Sequence, residues 1–192
     1  MSETPLDGGA PATAVATATM ADVAAIVDLV NGAYRGDGSR AGWTTEADLL
    51  GGQRTDAAAV AALVGAPDGA LLTLRAGESL MACVHLEKRP DALCYLGMLT
   101  VRPDLQRAGI GRRLLGAAEA FAQRRFAATR IEMTVIEART ELIDWYRRRG
   151  YAPTGETRPF PYGDARFGLP RREDLRFVVL RRALAGAAPA SA

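Results

Sequence analysis

The chain has 192 residues, of which 48% are hydrophobic, so it is long and apolar enough for one domain with a substantial core. Its 24 basic and 22 acidic side chains leave a net charge of +2, which gives no electrostatic case for binding nucleic acid or a membrane. Two cysteines in apolar runs and one histidine make no recognisable zinc site, so we expect no metal and two buried, reduced thiols.

The two ends of the chain differ from its middle. Residues 1–12 and 185–192 lack periodic apolar positions, so we predict flexible tails around one domain over residues 13–184. The first residues carry neither the basic nor the apolar region of a leader peptide. We therefore expect a cytoplasmic protein that is a monomer or a homodimer.

The first half of the domain alternates strand and helix patterns. A strand over 14–18 leads into Thr19–Asp22, which resembles a capping box before an amphipathic helix. A second capping pattern at Thr45–Asp48 predicts a short helix, and another helix is predicted at Thr55–Val64. Two apolar runs around a glycine-bearing turn then predict a hairpin, and a further strand runs from Leu93 to Val101.

That further strand opens a stretch that ends in a helix with a glycine-rich entry. The pair Gly109 and Gly111 leaves main-chain N–H groups accessible at the helix N-terminus, where partnerless amides and the dipole attract phosphate. A Walker loop is excluded, because Arg112 stands where lysine is needed. A dinucleotide fingerprint is excluded as well, because its third glycine would fall on Leu114. The pattern Gln106-x-x-Gly-x-Gly remains.

The second half predicts a helix after the glycines, a strand over 129–136, a helix over 141–149 and strands at 151–157 and 175–180. Because a helix joins the strand ending at Val101 to the next strand, those two strands should be parallel. The strand ending at Val101 and the two strands of the hairpin before it should be antiparallel neighbours.

Two segments resemble the GCN5-related N-acetyltransferase (GNAT) superfamily. Residues 106–111 match its coenzyme A signature Gln/Arg-x-x-Gly-x-Gly/Ala, and residues 145–151 match its "Tyr-x-x-x-Gly-Phe/Tyr" segment. The resemblance implies an acyl-CoA N-acyltransferase fold of the α/β class. That fold has a single mixed, mostly antiparallel central sheet of about seven strands with helices on both faces, splayed between strands four and five.

The resemblance also implies where acetyl-CoA, the co-substrate, would bind. Its pantetheine arm would meet the main chain at Leu99, Thr100 and Val101, with one N–H polarising the thioester carbonyl. The diphosphate would rest on amides of Arg107 through Arg112. The residues of this signature are Gln106, Arg107, Ala108, Gly109, Ile110, Gly111 and Arg112. The side chains of Arg107 and Arg112 either meet a phosphate or face solvent.

The family comparison makes Tyr146 the general acid for the leaving thiolate, and the alternative is a core tyrosine. For the general base, the candidates are Glu137 and Glu87, both near strand ends, or a water chain. His85 is more typical of a structural residue in an apolar strand. Arg139 stands where many members carry asparagine, so it either replaces that coenzyme contact or faces solvent.

Two loops are candidates for the acceptor site. Trp43 either lines the acceptor pocket or fixes its loop to the domain. In the long loop after residue 157, Arg158 and Phe160 are candidate acceptor contacts, and Arg158 with Arg166 could hold an acceptor carboxylate unless they pair with surface acids.

The favoured function is acetyl transfer to the primary amine of a small molecule, by direct attack in a ternary complex. The alternatives are a non-catalytic acyl-CoA-binding module and a protein N-terminal acetyltransferase.

Overall fold

A computed structural model describes residues 13–35, 37–164 and 168–184. The proposed tails, 1–12 and 185–192, lie outside the described residues, so the domain limits remain a prediction. No helix in the described segments is long and apolar enough to cross a membrane. The helices are α1 (Val23–Tyr34), α2 (Ala57–Gly65), α3 (Ile110–Phe126) and α4 (Thr140–Arg147). The strands are β1 (Thr13–Thr17), β2 (Leu50–Gly51), β3 (Gly69–Ala76), β4 (Ser79–Arg89), β5 (Leu93–Val101), β6 (Arg130–Ile136), β7 (Ala152–Pro159), β8 (Leu169–Pro170) and β9 (Arg176–Ala183).

The central sheet has seven strands in the order β1-β3-β4-β5-β6-β9-β7. All neighbouring pairs are antiparallel except β5 and β6, which are joined through α3 and run parallel. The predicted mixed, mostly antiparallel sheet and its parallel crossover are therefore confirmed. A separate two-stranded ladder, β2 with β8, was not predicted.

Helices cover both faces of this sheet because its inner strands are apolar on both sides. Leu72 and Val84 face the core formed with α3 and α4, whereas Leu71 and Cys83 face α1 and α2. Cys83 and Cys94 are buried free thiols, as predicted, and burial raises the pKa of each to about 12. This keeps both protonated and poorly nucleophilic at neutral pH.

The parallel strands β5 and β6 separate soon after they begin. They pair only from Leu93 to Tyr95, and the predicted splay is thus present. On its other side β5 carries a bulge, because the register with β4 shifts after Gly97 and Met98 adopts a φ of +52°. A bulge bends its strand and leaves main-chain groups outside the ladder. It therefore opens a wedge between β5 and β6.

Local signals explain most helix ends. The capping box is present, with the Thr19 N–H donating to Asp22 Oδ2 at 2.8 Å, and Asp56 caps α2 by accepting from the Ala59 N–H at 2.8 Å. The short helix predicted at Thr45–Asp48 is wrong, since this segment forms a turn. The reason is tertiary: Glu46 points inward to buried arginines.

Candidate active site

A cavity of about 1240 Å³ fills the wedge between β5 and β6 and extends beneath α1, α2 and the N-terminus of α3. Its wall is strongly cationic, with six arginines against two carboxylates. The arginines are Arg54, Arg107, Arg112, Arg139, Arg148 and Arg149, and the carboxylates are Glu46 and Asp56. Such a wall favours an anionic ligand.

The glycine-rich turn forms one end of this cavity. Arg107 and Gly109 both have a left-handed φ, +77° and +78°, which turns the chain sharply into α3. The Ala108 N–H donates to the Leu105 carbonyl at 3.3 Å, so this one amide of the predicted cradle is already engaged. The amides of Arg107 and of Gly109 to Arg112 have no hydrogen-bond partner among the described residues. The side chain of Ile110 is buried in the core, so only its main chain is available to a ligand.

The side chain of Gln106 braces the turn against a neighbouring loop. Its Oε1 accepts from the Trp43 N–H at 3.0 Å and its Nε2 donates to the Val101 carbonyl at 3.4 Å. Gly42 permits this approach, since a Cβ there would lie 2.5 Å from Gln106 Oε1. The predicted coenzyme residue Gln106 thus fixes the Trp43 loop at the rim of the cavity.

Aromatic and cationic side chains form a layered wall next to the turn. Trp43 stacks on Trp145 with ring centroids 6.3 Å apart, and the Arg149 guanidinium lies 3.6 Å from the Trp145 centroid. Burial, together with the charges of Arg148 and Arg112, lowers the pKa of Arg149. Three like charges crowded at one end of a cavity are stabilised by a ligand that carries several negative charges.

Tyr146 lies on α4 and reaches the cavity wall between Trp145 and Tyr151, with ring centroids 4.9 Å and 5.6 Å away. Burial raises its pKa above the ordinary value, so the hydroxyl keeps its proton. Its oxygen makes no hydrogen bond to any residue in the described part of the chain. A buried hydroxyl of this kind is suited to donate to a bound ligand.

A buried ion-pair cluster occupies the far wall. Glu46 accepts from Arg35 Nη1 and from Arg139 Nη1, both at 2.7 Å, and Arg139 Nη2 donates to Thr44 Oγ1 at 2.9 Å. Burial alone would raise the pKa of Glu46, but the charges of Arg139, Arg54 and Arg35 outweigh it and hold the pKa below its usual range. Arg139 is therefore buried on the cavity wall rather than facing solvent, with its fork turned toward Glu46.

Tyr34, at the end of α1, connects this cluster to the β5 bulge. Its hydroxyl donates to the Leu99 carbonyl at 3.1 Å, and its ring faces the guanidinium groups of Arg54 at 5.5 Å and Arg139 at 5.9 Å. Across the wedge, the Tyr95 hydroxyl bonds Thr134 Oγ1 at 3.0 Å. Tyrosines thus bracket the bulged main chain at Leu99 and Thr100.

The two predicted carboxylate bases do not line the cavity. Glu137 forms a two-bond pair with Arg176 at 2.6 and 2.8 Å on an exposed surface, because β9 places Arg176 beside the end of β6. Glu87 pairs with Arg89 at 2.9 Å. His85 does line the cavity, and burial lowers its pKa despite the opposing charge of Glu87. It is neutral at pH 7.

The acceptor residues predicted in the long loop do not line the cavity either. Arg158 pairs with Glu132 and Glu156, both at 2.9 Å, and Phe160 packs in a small separate core. Arg166 lies outside the described residues. Trp43 does line the cavity, and its N–H donates to Gln106 Oε1, which fixes the Trp43 loop to the domain.

Tyr34, Glu46 and Arg54 are among the wall residues that sequence reasoning missed, as are Trp145, Arg148 and Arg149. Tyr34 belongs to the apolar stripe of α1, and its hydroxyl gave no separate signal. Glu46 lies in a segment that resembles a helix start, and 93 residues separate it from Arg139. Arg54 follows a glycine-rich turn where an exposed arginine is the ordinary expectation.

Comparison with known proteins supplies the family. A model of the acetyltransferase (GNAT) family matches residues 25–151. No curated protein matches the sequence.

Solved structures share the fold at low sequence identity. The ribosomal-protein-S18-alanine N-acetyltransferase of Escherichia coli superposes with a TM-score of 0.68 at 13% identity, covering 94% of this chain and 99% of that one. The structure of yncA of Salmonella typhimurium, solved with its cofactor acetyl-CoA, has a TM-score of 0.67 at 18% identity, covering 94% of this chain and 99% of that one. An N-acetyltransferase of Staphylococcus aureus Mu50 has a TM-score of 0.68 at 12% identity, covering 91% of this chain and 99% of that one. Identities this low carry the fold alone.

Proposed function

Because the chain belongs to the acetyltransferase (GNAT) family, we propose that it transfers an acetyl group from acetyl-CoA to the primary amine of a small molecule, by direct attack within a ternary complex. The observation that carries the proposal is the cationic, amide-lined end of the cavity. There the amides of Gly109 to Arg112 lack hydrogen-bond partners in the described part of the chain, and the charges of Arg112, Arg148 and Arg149 lie close together.

This end of the cavity fits the coenzyme. A Cβ at Gly109 would meet nothing within 4 Å, so the space above the turn is open to a diphosphate, and the amides and helix dipole favour negative charge there. Arg107 and Arg112 would add charge, while Trp43 and Trp145 would flank the arm that leads away. Acetyl-CoA supplies the activated thioester carbonyl at its far end.

The reacting end lies at the β5 bulge. Main-chain groups of Leu99, Thr100 and Val101 line the wedge, and those released from the ladder by the bulge are available to hold the arm and polarise a carbonyl. Tyr34 fixes the Leu99 carbonyl by its hydrogen bond, which reduces the freedom of this segment. Preorganised donors of this kind stabilise developing charge without further rearrangement.

Tyr146 provides the proton for the leaving sulfur. The neutral amine nitrogen attacks the carbonyl carbon and a carbon–nitrogen bond forms. The carbon–sulfur bond then breaks, the phenol proton passes to the thiolate, and the nitrogen releases one proton to solvent, which leaves a neutral amide. Burial keeps the phenol protonated until that charge appears. The phenolate is then reprotonated from solvent.

The attacking amine must first lose a proton, because its ordinary pKa lies near ~10.4. Glu46 is a poor proton acceptor, because the neighbouring arginines lower its pKa and so make its carboxylate a weak base. His85 is neutral and lines the same cavity, so it is the better acceptor, directly or through water. Replacement of His85 by Gln should lower kcat and leave coenzyme affinity unchanged; an unaltered kcat would assign the step to water alone.

A small acceptor is supported by the loop that is fixed at the rim of the cavity. The Trp43 loop is tied to Gln106 on one side and, through Thr44, to Arg139 and Glu141 on the other. This loop narrows the approach to the reacting end, whereas a protein terminus needs an open groove. Released thiol should therefore appear with small primary amines and not with peptides of similar N-terminal residue.

The experiment mixes the purified full chain with acetyl-CoA and a panel of small amines and peptides, titrates released thiol, and measures coenzyme binding by calorimetry. Thiol release with one or more small amines is expected. Coenzyme binding without release for any acceptor would favour the non-catalytic module. If the protein neither binds the coenzyme nor releases thiol, the assignment of acetyl-CoA to this cavity is wrong.

A further inference from the structure

We propose that the acceptor amine carries a carboxylate, and that Arg54 binds it. The inference rests on the proposed acetyl transfer and adds the chemical class of the acceptor. It starts from the side chain of Arg54, which lines the cavity but forms no ion pair with the carboxylates of this wall.

Arg54 is held in position by its own main chain. Asn31 of α1 accepts from the Arg54 N–H at 2.8 Å and from the Thr55 N–H at 3.1 Å, and donates to the Thr55 carbonyl at 2.9 Å. Three bonds from one amide fix the backbone that carries Arg54. The side chain therefore projects from a rigid base rather than from a free loop.

The charges of this wall leave Arg54 without a direct counter-ion. Glu46 already accepts short hydrogen bonds from Arg35 and Arg139, at 2.7 Å each. Within residues 13–35, 37–164 and 168–184, no carboxylate oxygen lies within 4 Å of the Arg54 guanidinium. The other wall carboxylate, Asp56, caps α2 through the Ala59 N–H.

The guanidinium of Arg54 is only half-buried and lies 5.5 Å from the ring of Tyr34. An arginine supported on an aromatic face keeps its five donors in a planar fork that matches a carboxylate in two-bond geometry. A carboxylate of the substrate would serve as the counter-ion of Arg54, as Glu46 does for Arg35 and Arg139.

The distance to the reacting centre limits the acceptor. The side chain of Tyr34 lies between Arg54 and the β5 bulge, because its ring faces the Arg54 guanidinium and its hydroxyl donates to the Leu99 carbonyl at 3.1 Å. The amine and the carboxylate should then be only a few bonds apart. Amino acids have this arrangement, whereas polyamines and peptides do not present it.

The cationic cradle for the coenzyme lies at the other end of the cavity, around Arg112 and Arg149, so Arg54 is not needed there. Loss of Arg54 should leave coenzyme affinity intact. This separates an acceptor anchor from a general loss of positive charge.

The test compares amino acids with their primary amides and with the matching amines that lack the carboxyl group. The readouts are thiol release and coenzyme binding for wild type, Arg54→Gln and the control Arg124→Gln, which removes an exposed charge at the end of α3. Wild type should prefer the free amino acids. In Arg54→Gln their KM should rise about 10- to 100-fold, the loss expected for a charged hydrogen-bond pair, while the amides and decarboxylated amines change little.

Calorimetry should give Arg54→Gln and Arg124→Gln the coenzyme affinity of wild type, which also shows that both variants are folded. Equal use of carboxylated and decarboxylated amines by wild type, or a uniform loss across the panel in Arg54→Gln, overturns the carboxylate anchor and leaves the acetyl transfer in place. If no amine releases thiol, the proposed function fails and this inference fails with it.

Discussion

Tyr146 lines the cavity and its hydroxyl has no hydrogen-bond partner in the described part of the chain, so loss of the hydroxyl should affect chemistry more than stability. We predict that Tyr146→Phe lowers kcat by about 10²- to 10⁴-fold, the usual contribution of a positioned acid, with little change in coenzyme affinity. Steady-state kinetics and calorimetry measure the two quantities.

Tyr151→Phe is the matched control, because the Tyr151 hydroxyl donates to Glu119 at 2.9 Å and does not line the cavity. It should lower the unfolding midpoint and retain kcat. If Tyr146→Phe keeps full turnover, Tyr146 is a core residue and another proton donor serves the thiolate.

Glu46 is the residue on which the buried charges of the far wall depend. Replacement by Gln would remove the carboxylate that pairs with Arg35 and Arg139 at 2.7 Å each, and breaking a buried ion pair in this way should cost about 3–5 kcal/mol in the free energy of unfolding. Urea unfolding at pH 7 measures this loss. The control Asp48→Asn breaks an exposed pair with Arg40 and should leave the midpoint nearly unchanged.

The same substitution predicts a pH dependence. Because the folded-state pKa of Glu46 is lowered, its stabilisation is complete above the unfolded-state value near ~4.3 and is lost as pH falls through the folded pKa. The stability gap between wild type and Glu46→Gln should therefore be constant from pH 7 to about 5 and narrow below ~4.3. A gap that does not change down to pH 3 would contradict the ionised state.

At the level of elements, the strand–turn–helix unit from β5 to α3 places the amides of the cradle. Gly109→Ala adds a Cβ into open cavity space at a φ of +78°, where it also meets backbone strain of about 1 kcal/mol. We predict that it weakens coenzyme binding by at least about 10-fold, since the methyl group stands where a phosphate would contact the amides. Calorimetry with coenzyme A measures the change.

Gly155→Ala separates strain from obstruction. Gly155 has a φ of +85° and likewise nothing within 4 Å of an added Cβ, but it lies on β7, away from the cavity. Both variants should lose similar stability, and only Gly109→Ala should lose coenzyme affinity. Equal affinity in the two variants would place the diphosphate elsewhere.

This unit was readable from sequence because each of its signals is local. An apolar run, two glycines one residue apart and a helical stripe all lie within twenty residues, so the strand, the turn and α3 were predicted within a few positions. The segment at Thr45–Asp48 shows the opposite case. Its capping pattern is real, but Glu46 gains more from two distant arginines than from a helix, and such tertiary pairs override local propensity.

The candidate site divides in the same way. Gly109, Gly111 and Tyr146 are recognisable by motif, and the structure brings all three to one cavity. Glu137 was chosen by its place at a strand end, but its side chain is taken by Arg176, 39 residues away on β9. Arg54 is separated from Tyr34 by a segment without periodic apolar positions. Contacts set by strand order and loop path leave no local trace in the sequence.

On the scale of the whole molecule, the cavity exists because the sheet separates between β5 and β6 while helices close both faces around the gap. The chain has two tryptophans, and both Trp43 and Trp145 lie on the wall of this gap, with ring centroids 6.3 Å apart. Ligand binding in the gap should therefore be visible in the intrinsic fluorescence of the protein. Residues elsewhere in the fold contribute no tryptophan signal.

We predict a saturable change in tryptophan emission on titration with coenzyme A, with a midpoint equal to the Kd from calorimetry. The same ligand should raise the melting temperature, since binding at 100 times Kd stabilises a folded state by about 2.7 kcal/mol. Trp43→Phe and Trp145→Phe should each retain part of the signal, and Gly109→Ala should move the midpoint to higher concentration. An emission spectrum that stays constant while calorimetry records binding would place the coenzyme outside the gap, because a ligand threaded between β5 and β6 cannot avoid both indole rings.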